Sequence, residues 1–168
     1  MHLNSLLLFK KYAGRYFKPG ISVLEVGPNS IPTRYHSAVH DPTVKWHLLG
    51  LETARFGHLD FRSKDGYNYP LTDNSYDIVL SGQVLEHVRK IWVWIKELAR
   101  ICKKGGYVIT INPVSWEYHE APIDCWRVYP EGMKALYEEA NLKVILSVAE
   151  NLEDVNYSTD TITIGEKL

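Results

Sequence analysis

VLEVGPNS, residues 23–30, runs from branched and long apolar residues through an acid into one glycine, a proline and two small polar residues. A short apolar run of this kind, Ile21 to Val26, is the pattern of a strand buried on both faces, which belongs to a parallel sheet covered by helices. The turn Gly27-Pro28-Asn29-Ser30 leaves backbone uncovered at the strand's carboxyl end. In open α/β sheets that is where ligands lie, at the point where the strand order reverses. The full dinucleotide fingerprint needs three glycines. Asn29 and Ile31 stand where the later ones would be, so no phosphate-gripping loop is expected.

Outward from this stretch, strands alternate with helices. Residues 1–19 contain an amphipathic opening helix with Leu3, Leu6, Leu7 and Phe9 to Phe17, ended by Pro19-Gly20. Residues 44–51 read as a second strand, 57–61 as a short third, 76–81 as a fourth, 107–111 as a fifth, and 142–148 and 159–164 as the last two. A helical period runs from Val84 to Lys103, and Lys103-Lys104-Gly105-Gly106 read as its cationic last turn and glycine stop. Pro130-Glu131-Gly132 opens another helix, 133–140. This alternation predicts an α/β sheet with right-handed crossovers. Too few residues separate strands two and three for a helical crossover, which normally takes a dozen or more. Either that helix has been lost or a strand is displaced, and 62–75 also lacks helical periodicity, so the first half of the sheet is expected to carry reduced helices.

With 168 residues, the chain is expected to form one domain with its own core. Nineteen Lys and Arg against twenty Asp and Glu give a net charge of -1, so no whole-molecule field draws it onto nucleic acid or anionic lipid. The first residues have no basic region or cleavage site of a signal peptide, and no apolar run approaches a membrane span. Cys102 and Cys125 have no metal-ligand spacing and are read as reduced, which points to a cytoplasmic compartment. The seven histidines include no helical i, i+4 pair flanking an acid and join no cysteine cluster, so no metal site is expected.

The stretch from Asp65 to His87, DGYNYPLTDNSYDIVLSGQVLEH, carries a more specific signal. Asp65, then Tyr69-Pro70-Leu71, Asp73-Asn74-Ser75-Tyr76-Asp77, a strand, and Leu85-Glu86-His87 resemble the class I (Rossmann-like) S-adenosylmethionine-dependent methyltransferases, particularly the type 11 subgroup. VLEVGPNS matches that family's first motif at Glu25 and Gly27, and PIDCWRVYPEG, residues 122–132, is similar to a stretch after strand five in members linked to sugar and glycan pathways. The resemblance covers about residues 21–165. It implies a Rossmann-like core of seven mostly parallel strands, helices on both faces and an antiparallel C-terminal strand, with S-adenosylmethionine as cofactor.

On that resemblance Glu25, Gly27, Pro28 and Asn29 border the methionine end of the cofactor site. Glu52, at the end of strand two, takes the ribose hydroxyls. Its distance from the glycine turn is close to the spacing at which such an acid acts, although Asp60 competes for the role. Asp65 with the Gly66 backbone meets the adenine edge, and Ser81, Gly82 and Gln83 face the sulfonium. For an alcohol acceptor a base must take the proton. His87 and His119 are the candidates because histidine titrates near neutrality. His87 has a competing reading as a structural contact. Glu120, Asp124, Trp126 and Arg127 are candidate acceptor-binding residues, with an ordering Asp124–Arg127 pair as the alternative. Asn112-Pro113 is similar to a motif of amino-group methyltransferases acting on bases, but follows the wrong strand and is discounted.

The expected function is methyl transfer, with O-methylation of a small molecule or glycan or nucleotide-sugar precursor. A dimer or partner subunit would complete the pocket of so short a chain. The rival from another class is a non-catalytic nucleoside- or protein-binding module on a worn methyltransferase fold. A nucleic-acid methyltransferase is disfavoured by the balanced charge.

Overall fold

Val23, Leu24 and Val26 are each at most 2% exposed, so the first strand packs on both faces. A computed structural model describes residues 3–54, 57–153 and 158–168. Its strands are β1 (Ser22–Val26), β2 (Lys45–Leu51), β3 (Phe61–Ser63), β4 (Tyr76–Gly82), β5 (Cys102–Pro113), β6 (Leu142–Glu150) and β7 (Asp160–Lys167). They form one sheet in the order β3-β2-β1-β4-β5-β7-β6. The pairs from β3 across to β5 are parallel, and β7 runs antiparallel to both β5 and β6. This is the Rossmann-like topology that the alternation and the resemblance imply. The order reverses between β1 and β4, so the VLEVGPNS turn opens at the switch point.

Two helical layers cover the sheet. On one face α3 (Ile91–Ile101) and α4 (Pro130–Glu139) pack Trp94, Ile95, Leu98, Met133 and Tyr137 against Leu24, Val79 and Val108. On the other, Leu8, Phe9 and Ala13 of the N-terminal segment and Tyr35 of the short α2 (Arg34–Ala38) meet Val23, Ile78, Leu80, Ile109 and Ile164. The N-terminal segment begins as α1 (Leu3–Leu8) and continues as irregular helical turns to Tyr16.

Four sequence expectations need correction. The buried side of α1 is Asn4, Ser5 and Leu8, while Leu3 is exposed. The reason is a buried polar cluster: Asn4 Nδ2 and Ser5 Oγ donate to Asp160 Oδ2 at 2.9 and 3.3 Å, and Asp160 is fully buried. The third strand is displaced from 57–61 to Phe61–Ser63. Because it is parallel to β2, and residues 52–60 are too few for a helical crossover, the strand is displaced and no helix lies between the two among the described residues.

The helix expected over 84–103 is divided into a single tight turn, Leu85–His87, and α3. Lys103 to Gly106 belong to β5 instead of to a helix end. Lys103 Nζ donates to both Asp77 carboxylate oxygens at 2.9 Å, which ties the start of β5 to β4. A Cβ on Gly106 would meet the Asp77 carbonyl at 2.6 Å, so this glycine serves close strand approach.

Candidate functional site

A crevice of about 680 Å³ lies across the carboxyl ends of β1, β2 and β4, within the size range of small-molecule sites. A second cavity, about 360 Å³, sits at the opposite, amino end of the central strands beside Arg15, Asp77 and Lys104, away from the switch point. The floor of the larger one is Val26, Gly27, Pro28 and Asn29. Gly27 has φ +71°, and a Cβ there would fall 2.4 Å from Val84 Cγ2. Its N–H donates to the Leu49 carbonyl at 2.8 Å. Gly27 therefore sets the turn and admits Val84, which is itself part of the lining.

One side wall follows β2 with Leu49, Gly50, Leu51, Thr53 and Ala54. Glu52, between them in sequence, is exposed, and its N–H donates to the Ser63 carbonyl at 2.8 Å. Its carboxylate has no partner among the described residues. Asp60 instead accepts from the Leu48 N–H at 2.8 Å, which occupies it at the sheet edge.

Gly66, Tyr67 and Tyr69 continue the wall. The Asp65 carboxylate accepts from the Tyr67 and Asn68 N–H groups at 2.7 and 2.9 Å, and these bonds hold its pKa below the usual carboxylate range. Asp65 thus shapes the turn that presents Gly66. Tyr69 is fixed by Trp94, whose indole N–H donates to its hydroxyl at 3.0 Å.

Three residues expected at the cofactor lie behind the lining. Glu25 is 4% exposed and accepts from Thr33 Oγ1 at 2.6 Å and Trp46 Nε1 at 2.9 Å. Burial pushes its pKa up to about 7 against the lowering effect of those two bonds. Ser81 Oγ donates to the Val26 carbonyl at 2.9 Å, and Gly82 packs against the Tyr35 hydroxyl. Gln83 does line the crevice. It has φ +59°, and its side-chain amide donates to Ser5 Oγ at 2.8 Å and Asp160 Oδ1 at 3.0 Å.

The far rim is His87, His119, Ala121, Pro122 and Ile123. The loop after β5 is stitched to the turn after β4: the Cys125 N–H donates to the Glu86 carbonyl at 2.7 Å, and Trp126 Nε1 to the Val88 carbonyl at 2.9 Å. His87 and His119 meet edge to face, with ring centroids 5.0 Å apart. Arg127 grips Asp124 through both carboxylate oxygens at 2.5 and 2.7 Å, and the His119 N–H donates to Asp124 at 2.8 Å. Chiefly through Arg127, the Asp124 pKa is held well below the usual carboxylate range. Asp124, Trp126 and Arg127 thereby order the loop, and none of them lines the crevice. Glu120 is exposed and accepts from the Tyr118 hydroxyl at 2.7 Å.

Sequence reasoning missed Tyr67, Tyr69, Trp94 and the Ala121-Pro122-Ile123 rim. The apolar period expected over 84–103 runs through Trp92, yet Trp92 is 47% exposed and it is Trp94, 1% exposed, that packs inward and lines the crevice. Sequence reasoning also missed the juxtaposition of Glu86 with His87 and His119, because the last is remote in sequence.

The order of strands and a crevice at their switch point define a class I methyltransferase fold. A solved S-adenosylmethionine-dependent methyltransferase from Aquifex aeolicus is similar over 95% of this chain and 89% of its own, at 17% identity and a TM-score of 0.69. Residues 41–110 match the family model of the type 11 methyltransferase domain, so this segment is similar to that family and the chain as a whole has the class I methyltransferase fold. Among curated relatives, an uncharacterized methyltransferase of Schizosaccharomyces pombe is 38% identical over 58 residues, 34% of this chain and 21% of its own length. Phosphoethanolamine N-methyltransferase 2 of Caenorhabditis elegans is 23% identical over 171 residues, 95% of this chain and 38% of that protein. The chain thus spans well under half the length of these two relatives. No helix among the described residues is long and apolar enough to cross a membrane.

Proposed function

We propose that the chain transfers a methyl group from S-adenosylmethionine to a small-molecule acceptor, an oxygen nucleophile being the favoured class. The observation that carries this reading is the two-sided crevice, with an unpartnered acid and uncovered backbone along one side and two imidazoles on the opposite rim. The left-handed Gly27 turn and the Gly66 turn give flat backbone for a nucleoside to lie against. Glu52 is the acid free to receive ribose hydroxyls, while Gly27, Pro28, Asn29 and Gln83 border the methionine end. Asp65, Glu25, Ser81 and Gly82 support these walls from behind.

When bound, the cofactor supplies an electrophilic methyl group. The chain's own residues position the acceptor and exclude water, which for this chemistry provides most of the acceleration. His119 is placed to take the acceptor proton, with His87 beside it. The Asp124–Arg127 pair holds the loop on which His119 stands. Glu120, next to His119 and exposed, is the acid offered to acceptor hydroxyls.

Isothermal titration with S-adenosylhomocysteine tests the assignment. The wild-type chain is expected to bind one equivalent, and Glu52→Ala to bind about ten- to a hundredfold more weakly, the size of effect when charge-assisted hydrogen bonds are removed. Equal binding by both would remove Glu52 from the site.

A further inference from the structure

We propose that Glu86, His87 and His119 form a binding site for a divalent first-row transition ion of the zinc type at the far rim of the crevice. One potential donor atom from each residue lies within 4.8 Å of the others, and His87 Nε2 is 3.7 Å from Glu86 Oε1. A tetrahedral zinc site with bonds of 2.0–2.2 Å sets its ligand atoms roughly 3.4 Å apart. Closing the remaining gap takes a small rotation of His119, whose side chain is 36% exposed.

The orientation of both rings supports the assignment. His87 Nδ1 is 2.6 Å from the Ile123 carbonyl, and His119 Nδ1 is 3.0 Å from the Glu117 carbonyl. A carbonyl only accepts, so in each ring Nδ1 carries the proton, and the neutral ring keeps its lone pair on Nε2. Pinning one ring nitrogen to a backbone carbonyl while the other faces the ion is the usual arrangement of metal-ligating histidine.

Glu86 supplies an independent observation. Its side chain is 1% exposed, and its Oε2 has no hydrogen-bond partner among the described residues. A buried carboxylate oxygen left unpartnered is costly, and a cation is the partner that resolves it. Both histidines line the crevice while Glu86 closes the cluster from behind. Three protein ligands would leave the fourth position open toward the crevice, the pattern of catalytic zinc sites as opposed to closed structural ones. Two imidazoles and one carboxylate suit zinc and its first-row neighbours better than magnesium or calcium, which prefer all-oxygen shells. His119, proposed above to take the acceptor proton, has only its Nε2 lone pair to offer while Nδ1 carries a proton, so ion and proton compete for it. The inference concerns binding, and stands whether or not methyl transfer occurs.

The test uses the tag-free chain after dialysis against a chelator, titrated with Zn²⁺ by calorimetry and with Co²⁺ by visible absorption. One ion per chain with micromolar or tighter affinity is expected, together with the stronger cobalt absorption of a four- or five-coordinate site. His119→Ala and Glu86→Gln should each weaken binding by roughly tenfold or more. His119→Gln is the second variant, and circular dichroism establishes that each variant folds. Absence of binding, or binding unchanged in both variants, would overturn the proposal. So would binding lost in Cys125→Ser, since Cys125 is exposed and its backbone bonds to Glu86. Titration of the same preparation with S-adenosylhomocysteine reports the cofactor reading separately.

Discussion

Glu25 shows how one side chain of the first motif can matter without touching a ligand. Its carboxyl joins Thr33, the N-cap of α2, to Trp46 of β2. Its folded-state pKa of about 7 lies above the ordinary 4.5, so the folded state binds this proton more tightly than the unfolded chain does. The stability it contributes is therefore complete below pH 4.5 and is lost as the pH rises through 7, up to about 3 kcal/mol. Urea unfolding at pH 5 and pH 8 should show that loss in the wild type, and Glu25→Gln should lessen the difference. Gly82 makes a steric argument at the same scale. A Cβ there would lie 2.2 Å from the Tyr35 hydroxyl oxygen, and Tyr35 is 2% exposed. Gly82→Ala should destabilise by about 1–3 kcal/mol, as overpacking does, and by less in a Tyr35→Phe background, read as non-additivity in thermal melts.

Among the elements, the loop after β5 is the one whose order the site depends on. Arg127→Ala leaves a side chain that is 1% exposed, Asp124, without its bidentate partner, and should cost about 2 kcal/mol, the scale of hydrogen bonds to a charged group. Hydrogen exchange should rise over 116–128 and remain unchanged in β4 and β5. If protection in the loop stays at the wild-type level, Arg127 does not order it. Strands and the Pro130 helix were legible here because apolar period and proline placement are local signals. Lys103-Lys104-Gly105-Gly106 misled because cations followed by glycines end helices in general, whereas here Lys103 serves Asp77 across the sheet. Likewise the apolar period from Val84 runs through a tight turn before α3 begins, and periodicity does not register the break at Val88 to Lys90.

Across the whole molecule, the alternation of strands and helices was enough for the sheet, and the Asp65 to His87 block lies inside the segment, residues 41–110, that matches the methyltransferase-domain model. The site was less legible. Gly27, Pro28, Asn29, Gly66, Gln83, His87 and His119 line one crevice, but the division between lining and support is a matter of burial. Glu25, Ser81 and Asp65 look alike in sequence to the residues they hold in place. The cluster of Glu86 with two histidines depends on the loop after β5 folding back over the turn after β4, which no spacing rule encodes. The central claim is that a nucleoside cofactor lies across the carboxyl ends of β1, β2 and β4. A crystal structure of the chain grown with S-adenosylhomocysteine tests it most directly: the account predicts the ribose at Glu52, the adenine beside Gly66 and the sulfur facing the His87 and His119 rim. Electron density for the ligand elsewhere, or a crevice closed by the chain's own side chains with millimolar ligand present, would contradict it.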